Sequence, residues 1–166
     1  MTCYFCGEDN PELSLFCRRC LALLDPFAAT PEYVNENFDK IRNSAVQVYE
    51  QTIAVPEYRE FLENFYLLVQ RSLSELERGV SLAEEEMGEE KELLDEQVGE
   101  QVGMTRVGLQ LYLEGLEILA AYRGGEDKTP ILSGLEKLEE GNHLLNRAVM
   151  MIEEEGDSSV FLDQLT

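Results

Sequence analysis

Cys3, Cys6, Cys17 and Cys20 are the only cysteines in the chain, and they form two C-x2-C pairs separated by ten residues. Two residues between paired cysteines let a tight turn aim both sulfurs at one ion, and a short spacer lets the second pair complete a tetrahedron of thiolates. Disulfides are a weaker reading, because the four sulfurs crowd the start of an otherwise cysteine-free chain with no secretory leader. A catalytic dithiol is weaker still, since redox C-x2-C pairs open a helix in a sheet-containing domain. The spacing predicts one bound metal ion held by Cys3, Cys6, Cys17 and Cys20. Zn2+ in a structural role fits the short spacer best; a single iron is the less favoured occupant, and spacing alone does not separate the two.

The spacer supports this geometry. Gly7 can take the positive φ that the first knuckle needs, and Asn10-Pro11 reads as a turn. The run Cys3-Tyr4-Phe5-Cys6-Gly7-Glu8-Asp9-Asn10-Pro11, closing in Phe16-Cys17-Arg18-Arg19-Cys20, resembles the short zinc ribbons at the N-terminus of many bacterial proteins of mixed function. The resemblance covers about residues 1–25 and implies a small metal-stapled fold with the four cysteines as ligands. One position departs from it, since Leu21 stands where many such ribbons carry glycine. A segment this short cannot bury enough apolar surface to fold alone, so the metal would supply the stability. Direct nucleic-acid contact through Arg18 and Arg19 is disfavoured, because they are the only basic side chains before Lys40 and lie among carboxylates. Protein contact through Tyr4, Phe5 or Leu15 is the better use of the ribbon surface.

Chemistry elsewhere is sparse. Glu140-Gly141-Asn142-His143 matches the E-x-x-H step of di-iron bundles, but His143 is the chain's single histidine, so at most half of such a site could form. The simpler reading is a solvent-facing or bundle-end histidine. No G-x-S-x-G and no phosphate-binding glycine loop with its lysine is present. The stretch from Glu84 to Glu96 holds eight carboxylates and one lysine. It reads as a solvated helix face, with docking to a basic protein surface as the functional alternative.

The whole chain of 166 residues carries 34 acidic and 13 basic side chains, for a formal charge of -21. Such a surface repels phosphates and anionic lipid. An apolar share of 44% is nevertheless ordinary for a protein with a core. No apolar run reaches the roughly 20 residues of a membrane span, and the expected location is cytoplasmic.

Those features require helices to position them. Thr30-Pro31-Glu32 is a helix start, and Val34, Phe38, Ile41, Ala45 and Val48 mark one face of a helix predicted to run to about Ile53. Ala54-Val55-Pro56-Glu57 starts a second, predicted to end at Arg78-Gly79. Ser81 and Glu84 read as a capping box opening a third, with a break expected between Gly99 and Thr105. Gly99 and Gly103 read as places where a neighbouring helix approaches closely. Thr129-Pro130 repeats the start signal for a last helix ending at Gly156. A weak echo links Tyr112–Leu119 with Ile131–Leu138, compatible with a duplicated hairpin.

The expected fold is mainly α: an antiparallel bundle of four or five helices with a small N-terminal zinc ribbon. The expected organisation is a ribbon at 1–25, a linker at 26–30, an acidic bundle at 31–156 and a tail at 157–166. The expected function is that of a non-enzymatic protein–protein interaction adaptor, assembly factor or regulator. Its partner would be another protein, with a basic surface as one form, and self-association is compatible with the pattern. A four-thiolate iron protein with a degenerate di-iron-type bundle, for electron transfer or peroxide reduction, is the alternative. An acidic nucleic-acid mimic is the second alternative.

Overall fold

A computed structural model describes residues 1–12, 14, 16–22, 24, 36–88 and 91–154. Among them the chain is mainly helical, with four helices and no extended strand: α1 Glu36–Tyr49, α2 Val55–Met87, α3 Lys91–Ala120 and α4 Thr129–Glu154. The expected helix start at Thr30-Pro31, Val34, the linker at 26–30, the stop at Gly156 and the tail at 157–166 lie outside the described residues.

α1 buries Phe38, Ile41, Ala45 and Val48, the three-and-four rhythm of one helix face. It ends at Tyr49, earlier than expected from the apolar pattern. Gln51 adopts φ 60°, its N–H donates to Val48 O, and Thr52 N donates to Gln47 O, a Schellman closure made without glycine. Ala54 then caps α2 in an extended conformation ahead of Pro56, as the sequence indicates.

α2 corrects two expectations. It passes straight through Gly79 and Ser81 as one helix of 33 residues, so neither the glycine cap nor the capping box is used. Half-buried Leu73, Leu76, Val80, Ala83 and Met87 continue one stripe across Gly79. Arg106 of α3 grips Glu77 with two hydrogen bonds of 2.6 and 3.0 Å beside it. One helical glycine costs only about 1 kcal/mol, which packing along that stripe outweighs. The chain breaks instead at Gly88, whose φ of 53° and N–H bond to Glu84 O close α2. The break expected between Gly99 and Thr105 is absent, since α3 runs unbroken through both and the Thr105 hydroxyl bonds back to Gln101 O.

α2 and α3 are antiparallel, with Tyr66 donating to Glu117 and Arg59 to Tyr122 O at one end and Arg106 meeting Glu77 further along. α3 and α4 are antiparallel too, and they pack through glycines. A Cβ at Gly115 would lie 2.9 Å from Gly134 O and 2.8 Å from Leu138 Cγ, and one at Gly134 would lie 2.9 Å from Gly115 O and 2.6 Å from Leu119 Cγ. Two turns away the arrangement recurs, with Gly108 against Gly141 O at 3.0 Å and Gly141 against Gly108 O at 2.7 Å. Each glycine lets the backbones touch, and Tyr112, Leu119, Leu138 or Leu145, four residues after a glycine on one helix, covers the glycine on the other. This explains the echo: Gly115-x3-Leu119 and Gly134-x3-Leu138 are the two halves of one reciprocal contact. Gly103, expected to be a point of close approach, has no such neighbour within 4 Å.

α1 lies across α2 and α4, and one continuous core joins Ile41, Ala45, Tyr58, Leu62, Leu116, Leu119, Ile131, Leu135 and Leu138. Glu139 of α4 is buried there, and its Oε2 has no hydrogen-bond partner. Burial raises its pKa; Asp39 acts in the same direction, while His143 and Arg42 oppose it. A carboxyl raised in the folded state is stabilising while protonated, and that stability is lost as pH climbs from the ordinary glutamate value through the folded one. Glu139→Gln, which removes a carboxyl that burial disfavours when ionised, is therefore expected to stabilise the protein at pH 7 and to change little in acid. Urea midpoints between pH 4 and 8 test this; an equal shift at every pH contradicts it.

Candidate metal centre

The two cysteine pairs sit on matching backbone loops. In the first, Cys3 N donates to Glu8 O at 2.8 Å and Gly7 N to Cys3 O at 3.0 Å; in the second, Cys17 N donates to Ala22 O and Leu21 N to Cys17 O, both at 2.8 Å. The residue after each pair is left-handed, Gly7 at φ 72° and Leu21 at φ 59°. A leucine thus takes the conformation usually given to glycine, at a backbone cost of about 1–2 kcal/mol. Its side chain is 2% exposed and enters the same core as Phe38 and Ile41, which offsets that cost.

The loops bring the four sulfurs together. Cys3 Sγ and Cys20 Sγ are 3.7 Å apart, Cys6 Sγ and Cys17 Sγ are 3.5 Å apart, and all four lie within 4.8 Å of one another. Such gaps are far beyond a disulfide bond of about 2.05 Å, and all four cysteines are free. A tetrahedron with metal–sulfur bonds of about 2.3 Å has edges of about 3.8 Å, so the donor set fits a tetrahedral thiolate-loving ion. These four side chains could hold a metal ion; the geometry does not distinguish zinc from iron.

The electrostatics agree with a site that wants a cation. Burial pushes the Cys20 thiol up to about 12, with the three other sulfurs adding to it against the backbone N–H of Ala22. At Cys17 burial also acts upward, but the backbone N–H groups of Cys20 and Arg19 and the nearby sulfurs prevail and bring it down to about 6. For Cys6 the backbone bond with Glu8 acts downward, yet burial and the Cys17 and Cys3 sulfurs leave the thiol raised. Four sulfurs this close cannot share four negative charges by themselves, whereas a divalent ion stabilises them all as thiolates.

Asn10 is a residue whose role its place in a turn did not reveal. Its amide donates to Glu8 O and to Cys17 Sγ, and its Oδ1 accepts from Arg18 N, so one buried side chain ties the two loops together. Lys128, at the start of α4, was missed as well. It donates to Arg19 O and sits 3.8 Å from the centre of the Tyr49 ring of α1. Together with Phe16, whose ring packs 6.4 Å from that of Phe38, these contacts seat the loops directly on the helices. No sequence period announces a lysine 109 residues from its acceptor.

Arg18 pairs with Glu8 at 3.3 Å, and both arginines lie at the surface. Tyr4 and Phe5 project from the first loop at 96% and 76% exposure, stacked edge to face with ring centres 5.8 Å apart. Leu15 lies outside the described residues. The E-x-x-H residues do not meet in the core: Glu140 is exposed and bonded to Lys137 at 2.6 Å, His143 is exposed, and the buried carboxylate on this helix is its neighbour Glu139. Among the described residues, no helix is long and apolar enough to cross a membrane. Comparison of the chain with protein-family models, with curated proteins and with solved structures finds no match. The metal reading therefore rests on these four cysteines and their geometry.

Leu21→Gly tests how the second loop is held. It removes the left-handed strain but also a buried leucine, a loss of about 2–5 kcal/mol in comparable truncations. If the four sulfurs hold an ion, the expected net result is a less stable protein at unchanged metal content, measured as a lower thermal midpoint. A higher midpoint would show that the core contact contributes less than the strain.

Proposed function

We propose that this protein is a non-enzymatic adaptor, assembly factor or regulator in which a structural zinc ribbon, seated on an acidic helical bundle, presents a protein-binding surface. The observation that carries the reading is the exposed Tyr4–Phe5 pair on a loop whose shape is set by the adjacent four-sulfur cluster. Aromatic side chains held on a rigid loop lose little entropy on docking, the behaviour of interface anchors. The acidic bundle supports a partner with a basic surface, because charge of one sign steers association with the other. The ribbon's sulfurs serve structure in this reading, and the helices supply the platform.

The test combines metal analysis with affinity capture by the full chain from its native cell. Zinc in a colourless protein, and a captured protein lost on Tyr4→Ala/Phe5→Ala without loss of metal or helicity, are the expected results. A red ferric-thiolate spectrum would move the protein to the electron-transfer alternative. Salt-sensitive capture of a DNA-binding protein that survives the aromatic substitutions would favour the acidic mimic. Turnover dependent on bundle residues would overturn the non-enzymatic reading.

A further inference from the structure

The four cysteine residues are unequally exposed. Cys3 and Cys17 are buried at 2% and 0% exposure, whereas Cys6 and Cys20 are partly open. Both open sulfur residues line a cavity of about 240 Å³, whose other walls are Arg19, Leu21 and the end of α1 at Val46, Tyr49 and Glu50. The cavity therefore lies where the ribbon meets the bundle, and it is large enough to admit a small reagent.

We propose that Cys6 and Cys20 are the reactive pair of the centre and that a small hydroperoxide entering this cavity oxidises them, opening the ribbon and expelling its metal. This rests on the metal-site reading. In the loaded centre all four sulfurs are thiolates, so access sets the order of attack. The thiolate of Cys6 or Cys20 attacks a peroxide oxygen: an S–O bond forms, the O–O bond breaks, and the departing oxygen takes a proton to leave as water or an alcohol. A facing sulfur on the opposite loop then displaces hydroxide from the sulfenic acid, forming an S–S bond as the S–O bond breaks. Each sulfur loses one electron and the peroxide accepts both, while the cation, with two thiolates left, dissociates without changing its charge. Cys17 Sγ stands 3.5 Å from Cys6 Sγ and Cys3 Sγ stands 3.7 Å from Cys20 Sγ, each across from the other loop. On these facing contacts the expected products are disulfides between the loops.

The experiment uses the full chain, first shown by metal analysis to carry zinc. Limiting iodoacetamide, followed by tryptic mapping, is expected to modify Cys6 and Cys20 about tenfold faster than Cys3 and Cys17. Hydrogen peroxide is expected to release zinc to a chromophoric chelator in step with Cys6–Cys17 or Cys3–Cys20 disulfides. Trypsin cuts at Arg18 and Arg19, so a Cys3–Cys20 bridge joins two peptides while Cys6–Cys17 stays within one. Val46→Trp, which narrows the cavity, is expected to slow both reactions at unchanged zinc content and helicity. Earlier modification of Cys3 or Cys17, disulfides within a pair, or a loaded Val46→Trp protein reacting at the original rate would each overturn the inference. A chain isolated without metal would instead overturn the reading on which it rests.

Discussion

If the four cysteines hold structural zinc, as proposed, removing it with a chelator, or replacing one of them by Cys17→Ser, is expected to unfold the N-terminal loops and to weaken the bundle with them. Structural zinc contributes an apparent ~10 to 16 kcal/mol to the folding of comparable small units. The bundle suffers because the ribbon is part of its core: Phe16 and Leu21 are buried with Phe38 and Ile41. Losing two such side chains from the interior costs about 3 to 6 kcal/mol at about 1.5 to 3 kcal/mol each. The helices should survive, since most of the core lies between α2, α3 and α4. The expected observation is retained helical circular dichroism with a urea midpoint that falls sharply on chelation and recovers on adding zinc. An unchanged midpoint would show that the ribbon and the helices are energetically separate.

The second large effect is expected at the glycine seam between α3 and α4. Alanine at Gly115 or Gly134 places Cβ within 2.9 Å of the opposite carbonyl oxygen and closer still to Leu138 or Leu119. A leucine tip can turn aside, but backbone oxygens on two long helices move only if the helices part. Overpacking of this kind costs about 1–3 kcal/mol per site. Alanine returns up to about 1 kcal/mol of helix propensity at each. The double variant Gly115→Ala/Gly134→Ala is therefore expected to lose up to about 4 kcal/mol after that credit. Gly103→Ala is the control, because its Cβ meets nothing within 4 Å. It should be neutral or stabilising by up to about 1 kcal/mol. Equal destabilisation by all three substitutions, measured by urea unfolding, would refute the seam as the cause.

Local chemistry made part of this legible in advance. Pro56 and Pro130 announce α2 and α4, because proline favours a first turn whatever surrounds it. Even so, the N-terminus of α4 is held by the Asp127 carboxylate, which accepts from Thr129 N at 3.0 Å, so the Thr129 hydroxyl is not the cap. The stops were harder to place. Gly79 has every local mark of a helix end and Gln51 has none, yet the chain continues through the first and turns at the second. Beyond Gly79 the half-buried Val80, Ala83 and Met87 keep the stripe begun by Leu73 and Leu76, so the helix goes on covering apolar surface past the glycine.

What the amino-acid sequence determined by itself was the four-sulfur constellation, the helical character and the starts of α2 and α4, because each depends on residues within a turn or two of one another. Which glycines end helices and which join them, the burial of Glu139, the clamp of Lys128 on Arg19 and the seating of Leu21 in a shared core were decided only by the tertiary structure. Those outcomes depend on what lies across from a residue, and that is fixed by packing between segments far apart along the chain.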